Sequence, residues 1–291
     1  MSSLLSIQWF PGHMAKTRRL IRESLSLVDA VAEIRDARIV ISSQNPEIDK
    51  LIGQKPRLLI LNKSDFADPA TTQRWCAYFQ RQNLETLVTD SRSGKGVSGF
   101  GSAVRRVLAP RLQQLSQKGM GGKKLRVMVI GIPNVGKSSL INRLSKSKKT
   151  RVEDRPGVTR GAQWVEVDST LDLLDMPGML WPKFESQSVA EHLAFTGAVK
   201  DDIMDIELLA ARLLECLYSR YAPLLVQRYH IELSSQEDGH SLLEKIGRQR
   251  GMLISGGAVD ERRAAIAVVD EFRGCKIGRI SLEAPEDMER A

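Results

Sequence analysis

The stretch Leu125-Arg-Val-Met-Val-Ile-Gly131-Ile-Pro-Asn-Val-Gly136-Lys137-Ser138 decides how the chain is read. Its first half is a short apolar run broken only by Arg126, the pattern of a strand buried on both faces. Its second half fits G-x-x-x-x-G-K-[ST], the loop in which backbone N–H groups at a helix N-terminus hold phosphate oxygens. Lys137 would reach the β and γ phosphates, and the Ser138 hydroxyl would ligate Mg²⁺. Asn134, Val135, Gly136, Lys137, Ser138 and Ser139 are therefore phosphate-binding candidates. The alternative is an ordinary glycine turn before a helix; composition alone produces this motif in about one such chain in 100.

Outward from that loop, residues 57–63 (RLLILNK) and 171–175 (LDLLD) are further apolar runs bounded by polar residues, and 84–91 is a weaker one. Helical spacing predicts helices over 14–27, 69–82 with Asp68 as a cap, 98–117 and 137–145. Strands alternating with helices predict an α/β domain with a mostly parallel sheet. Gln117 to Lys124 is rich in glycine and lysine and is expected to be a connector within it. Beyond Pro182 only helical periodicity remains, over 187–200, 206–229, 238–250 and 259–273. The expected division is 1–182 for the α/β domain with an N-terminal arm, and 183–291 for a smaller all-helical domain.

Asn62-Lys63-Ser64-Asp65 ends the run RLLIL, where N-K-x-D reads guanine in phosphate-loop proteins. A carboxylate such as Asp65 accepts from both N1–H and the exocyclic N2–H₂ of guanine, a donor pair that adenine lacks. GTP or GDP is thus the expected ligand, although a strand-ending turn with a helix cap would use the same residue types. Ser91-Arg92-Ser-Gly-Lys-Gly96 is placed to wrap the base. Asp175-Met-Pro-Gly178 is a D-x-x-G after a strand; about one such tetrad is expected by chance, so only its position counts. Asp175 would hold Mg²⁺ through water, the Gly178 N–H would touch the γ-phosphate, and Thr159 would complete the metal shell. An ordinary GTPase places the phosphate loop first and the base-reading motif last, whereas here the base-reading motif comes first. A circularly permuted chain makes the same contacts if its old ends are joined near Gly121 and new ends open at the surface.

The whole chain carries 43 Lys and Arg against 35 Asp and Glu, hence +8. The charge is concentrated: residues up to Pro182 sum to +13 and the rest to −5. Arg143, Lys146, Lys148, Lys149, Arg151, Arg155 and Arg160 form a dense run, the footprint of a protein that docks on a polyanion, although such a run can also merely solvate a face. Cys76, Cys216 and Cys275 are odd in number and far apart, which fits a reducing compartment and gives no thiolate metal site. The first ten residues are too short and polar for a signal peptide, and no apolar run has the roughly 18 residues of a membrane helix. A cytoplasmic location, no membrane partner and a monomer are expected.

Taken together, these blocks resemble the circularly permuted GTPases of the ribosome biogenesis GTPase A (YlqF-type) family. The likeness extends through Ile7-Gln-Trp-Phe-Pro-Gly-His13-Met14, Asp36-Ala-Arg38, Asn45-Pro46, Lys55-Pro-Arg57, Leu180-Trp-Pro-Lys-Phe184, Thr196-Gly-Ala-Val-Lys200 and Ser255-Gly-Gly257. It implies a circularly permuted phosphate-loop GTPase fold with a helical C-terminal domain. It also implies Mg²⁺-dependent GTP hydrolysis during late maturation of the large (50S) ribosomal subunit, with ribosomal RNA and the subunit precursor as partners. An RNA-binding module in which hydrolysis is incidental is the competing reading. In Ras-like enzymes a glutamine after D-x-x-G orients the attacking water, and here that place holds Met179, whose thioether cannot do so. The resemblance implies that His13 takes the role, and that Asn134 ligates a K⁺ ion. Trp9 and Phe10 anchoring an arm on which His13 is a passenger, and Asn134 capping a turn, are the structural alternatives.

Overall fold

Apolar strands with no room for water on either face have one stable arrangement, a parallel sheet covered by helices on both sides. The computed structural model shows that arrangement, and it describes residues 11–118, 122–145, 161–181, 184, 186–199 and 204–288. The sheet consists of β1 (Ala30–Asp36), β2 (Arg57–Asn62), β3 (Thr86–Val88), β4 (Leu125–Gly131), β5 (Gln163–Asp168) and β6 (Leu171–Asp175). Its spatial order is β3-β2-β1-β4-β6-β5, and every pairing is parallel except the edge hairpin of β5 with β6. β1 and β4 lie side by side, but the chain runs outward from them in opposite directions. Their C-terminal ends form the topological switch point at which open α/β sheets bind ligands.

Helices α1 (Pro11–Ser24), α2 (Pro46–Ile52), α3 (Pro69–Arg81), α4 (Phe100–Val107), α5 (Ala109–Gln117) and α6 (Lys137–Leu144) cover the sheet. Leu20, Ile21, Val31, Ile48, Met128, Ile130, Trp164 and Leu174 form the core of one face, and Leu59, Leu61, Trp75 and Phe79 the core of the other. Asp68 caps α3 by accepting from Thr71 N at 2.7 Å, as the sequence predicts. The single helix expected over 98–117 is broken at Leu108, with Pro110 in the first turn of the second piece. Helix α1 starts at Pro11 rather than at residue 14, which puts the backbone of His13 in its first turn. The expected helix over 14–27 is therefore corrected to one that starts three residues earlier.

One core strand is hidden from the periodicity. β1 is buried along its whole length although it carries Glu33, Arg35 and Asp36. Arg35 Nε donates to Glu33 Oε1 at 2.8 Å, Arg57 pairs with the same Glu33, and Arg57 Nη1 donates to Asp49 Oδ1 at 2.5 Å. Buried charges survive when paired in this way, and the pairs make a core strand look polar in sequence. Burial pulls Arg35 and Arg57 down to about 10, which leaves both cationic near neutrality.

The second compact unit begins at Phe184 and ends at Leu282. It contains α7 (Gln187–Phe195), α8 (Ile206–Tyr229), α9 (Gly239–Gln249) and α10 (Glu261–Arg273), each opened by a side-chain cap from Ser186, Asp205, Asp238 or Asp260. α8 is kinked at Tyr221, two residues before Pro223, as a proline inside a helix requires. From Glu283 the chain rejoins the sheet-containing unit, so the division differs from a simple split after Pro182. The reason is local to that unit: the Glu283 carboxylate accepts from Ile41 N at 2.5 Å and from Ser42 N at 3.1 Å. Among the described residues no helix is long and apolar enough to cross a membrane.

Candidate functional site

Because β1, β2, β3, β4 and β6 run parallel, their C-terminal ends lie along one edge of the sheet, and four of them end at a motif-bearing segment. β2 delivers Asn62 to Asp65, β3 delivers Asp90 to Gly96, β4 delivers the phosphate loop, and β6 delivers Asp175 to Gly178. A cleft of about 500 Å³ opens there, lined by Asn62, Lys63, Asp65, Ser91, Arg92, Gly136 and Ser139, and also by Phe66, Asp90, Asn142 and Arg143. The sequence-predicted base-reading residues are thus brought together with the phosphate loop across some 70 residues of chain.

Asn62 is the joint between the two. Its Nδ2 donates to Val135 O at 2.8 Å, and its Oδ1 accepts from Thr89 Oγ1 at 3.0 Å, Ser91 N at 3.1 Å and Ser91 Oγ at 2.7 Å. With the oxygen fully used and one amide hydrogen spent, Asn62 has one N–H left for a base. Expected as a direct guanine contact, it is first a strut that fixes the base-reading loop on the phosphate loop. The approach is close enough to dictate a glycine: a Cβ on Gly136, whose φ is +93°, would lie 2.3 Å from Asn62 Nδ2.

Lys63 has left-handed backbone (φ 59°), and its Nζ lies 3.0 Å from Asp36 Oδ2. Burial lowers its pKa, and Asp36 opposes that shift. Asp36 is itself held in a fork, with Arg38 Nε donating to Oδ1 at 3.0 Å and Nη2 to Oδ2 at 2.8 Å. Burial would raise the Asp36 carboxyl, but Arg38 and Lys63 outweigh burial and hold it well below the usual carboxylate range. The sequence alone gives Asp36 and Arg38 no role beyond family likeness. The signal that could have found one is an acid and an arginine closing a strand beside the lysine of N-K-x-D.

Asp65 faces the cleft, where burial first and then the neighbouring Asp90 raise its pKa. Asp90 shapes the wrapping loop, since its Oδ1 accepts from Arg92 N at 2.8 Å and Ser93 N at 3.0 Å. Arg143 on α6 donates to Arg92 O and ties that loop to the helix that begins in the phosphate loop.

On the phosphate side Lys137 Nζ donates to Asp175 Oδ1, so the loop lysine and the strand-end carboxylate share one position. Ser138 and Ser139 occupy the exposed first turn of α6, and Asn134 is exposed with φ +58°. Gly178 passes over the loop, where a Cβ would lie 3.1 Å from Pro133 N. Met179 is buried, with its N–H donating to Gly131 O at 3.2 Å and its carbonyl accepting from Asn45 Nδ2 at 3.1 Å. Its side chain is therefore core and does not face a reacting water. Thr159, most of the basic run from Lys146 to Arg160 and the His13 side chain lie outside the described residues.

The donor set fits a hydrated Mg²⁺ bound mainly by phosphates. It offers one hydroxyl at a helix N-terminus and one strand-end carboxylate, and no cluster of three or more His, Cys, Asp or Glu among the described residues could hold a metal by itself.

A phosphate loop at the sheet's switch point, bonded through Asn62 to an N-K-x-D loop that precedes it in the chain, defines a circularly permuted GTPase. A family model described as 50S ribosome-binding GTPase matches residues 126–215, from the phosphate-loop strand into α8. The chain is 45% identical to ribosome biogenesis GTPase A of Priestia megaterium over 98% of this chain and 99% of that protein. It is 42% identical to the protein of that name from Bacillus cereus over 97% of this chain and 95% of the other. Among solved structures, GDP-bound TM YlqF aligns with a TM-score of 0.66 at 27% identity, over 92% of this chain and 99% of that one. This chain belongs to the ribosome biogenesis GTPase A family, and is thus a ribosome-related GTP hydrolase of a class that generally uses Mg²⁺.

Proposed function

We propose that this protein binds the large-subunit precursor through ribosomal RNA late in maturation, and that GTP hydrolysis times its release. Membership of the ribosome biogenesis GTPase A family carries the ribosomal part of the reading, and the Asn62–Val135 bond supports the nucleotide part, because it joins the N-K-x-D loop and the phosphate loop in one site. The +13 charge of the first 182 residues supports a polyanionic partner. The protein acts as a cytoplasmic monomer in this reading.

Asp65 accepts from N1–H and N2–H₂ of guanine, with Lys63, Ser91 and Arg92 enclosing the ring. Backbone N–H groups of Asn134 to Ser139 surround the phosphates, and Lys137 leaves Asp175 to meet the β and γ oxygens. Ser138, Thr159 and, through water, Asp175 would hold Mg²⁺, which draws charge from the β- and γ-phosphate oxygens. The Gly178 N–H meets the γ-phosphate. His13 accepts a hydrogen bond from the attacking water and orients it, a role open to a neutral imidazole. The Asn134 amide oxygen would hold K⁺ beside the phosphates.

The test is turnover of GTP and ATP by the purified protein in KCl and in NaCl, with and without large ribosomal subunits. GTP-selective hydrolysis that rises with subunits, and more so in KCl, is the expected result. His13→Ala is expected to retain GTP affinity and to lose at least about tenfold in subunit-stimulated turnover. Turnover indifferent to subunits despite tight GTP binding would favour the binding-module reading, and an unchanged His13→Ala rate would remove His13 from the mechanism.

A further inference from the structure

Glu283 fastens a late segment of the chain to the turn that follows β1. In the helical unit, Tyr221 Oη donates to Ser281 O at 2.9 Å and Arg220 Nη1 to Leu282 O at 2.7 Å, so the last residues of that unit are pinned at the kink of α8. The next residue, Glu283, belongs to the sheet-containing unit and is 4% exposed. Its carboxylate accepts from Ile41 N at 2.5 Å, from Ser42 N at 3.1 Å and from the Ser42 hydroxyl. Its carbonyl accepts from Trp75 Nε1 at 3.3 Å, and Arg74 Nη1 donates to Glu286 Oε1 at 2.9 Å in the 3-10 turn Pro285–Met288. A buried carboxylate with this many donors is a specific clasp, because a charge left unpaired at such a depth is strongly destabilising.

The clasped turn leads directly to the base-reading motif. Ser43 Oγ donates to Ile39 O at 2.5 Å and accepts from Asp36 N at 3.1 Å, so the turn held by Glu283 also fixes the backbone of Asp36. The Asp36 carboxylate in turn holds Lys63 of Asn62-Lys63-Ser64-Asp65. We propose that Glu283 is a positioning residue for the nucleotide: by clamping Ile41 and Ser42 it sets Asp36, and through Asp36 sets Lys63 against the guanine ring. The proposal rests on reading the cleft as a guanine site.

The test uses the full-length protein and two ligands, GDP and inorganic triphosphate, the latter meeting only the phosphate loop. Glu283→Ala is expected to weaken GDP about tenfold, within the usual span of coupling between sites, and to leave triphosphate affinity unchanged. Glu283→Gln keeps an oxygen acceptor for the two backbone N–H groups and is expected to recover most of the loss. Ser42→Ala removes only the hydroxyl donor and shifts GDP in the same direction by about threefold, and so serves if Glu283→Ala fails to fold. Parallel weakening of both ligands, or GDP binding unchanged in both Glu283→Ala and Ser42→Ala, would overturn the proposal. A wild-type protein that binds triphosphate but does not prefer GDP to ADP would instead overturn the guanine reading on which it rests.

Discussion

The two sides of the cleft are constructed differently. On the base side the polar groups are committed to one another: Asn62 to Val135, Thr89 and Ser91, Lys63 to Asp36, Asp36 to Arg38, and Asp90 to the loop it shapes. On the phosphate side the principal charges, Lys137 and Asp175, are committed only to each other among the described residues. Interlocked hydrogen bonds resist displacement, whereas a single ion pair at a partly exposed position exchanges partners at little cost. In the proposed function selectivity is therefore preorganised, and the chemistry needs one pair to separate. The order of motifs in the chain is immaterial to this arrangement, because five parallel strand ends share an edge whatever their connections.

The largest effect is expected from changing the base-reading group while its frame stays intact. Asp65→Asn is expected to weaken GDP by at least about a hundredfold and to gain affinity for xanthosine diphosphate, whose C2 oxygen accepts from an amide. Competitive titration of the two nucleotides measures both changes. The same variant should melt no lower than wild type near neutrality. Because folding raises the Asp65 pKa, the stability linked to that shift is present below the unfolded value and lost as pH rises through the folded one, so the ionised group is a burden to the fold. A lower melting temperature would show that Asp65 is structural.

Next in size is the strut. Asn62→Ala strands Val135 O and the donors of Thr89 and Ser91, and is expected to cost about 1–3 kcal/mol of stability in chemical denaturation. It should weaken GDP and triphosphate together, since both sides lose their joint. An effect on GDP alone would mean that the two sides are independent.

The smallest effect is in pH. Asp65 must be ionised to accept from guanine, and burial and Asp90 raise its pKa, so GDP affinity is expected to fall on acidification from a higher pH than an ordinary aspartate would give. Binding of triphosphate should not share that inflection. Parallel pH profiles would assign the titration to the phosphate side.

The chemistry was legible wherever it is contained in a few consecutive residues. The phosphate loop and N-K-x-D need fixed side chains at fixed spacing, and both emerge at strand ends as the periodicity predicts. β1 was not legible because Glu33 and Arg35 neutralise each other inside the sheet, so a core strand is written in charged letters. β5 was missed because its edge position leaves it partly exposed, without a continuous apolar run. The role of Asp36, and the clasp of Glu283 on residues more than 240 positions away, depend on contacts that no local pattern records.

In the proposed function the permuted chain assembles one site that reads guanine. Calorimetric titration of the wild-type protein with GDP, inosine diphosphate and ADP tests it most directly. The expected order is GDP tightest, inosine diphosphate weaker because it lacks the N2 amine, and ADP weaker than GDP by at least about a thousandfold. Equal affinities for the three would show that Asp65 and its frame do not read the base.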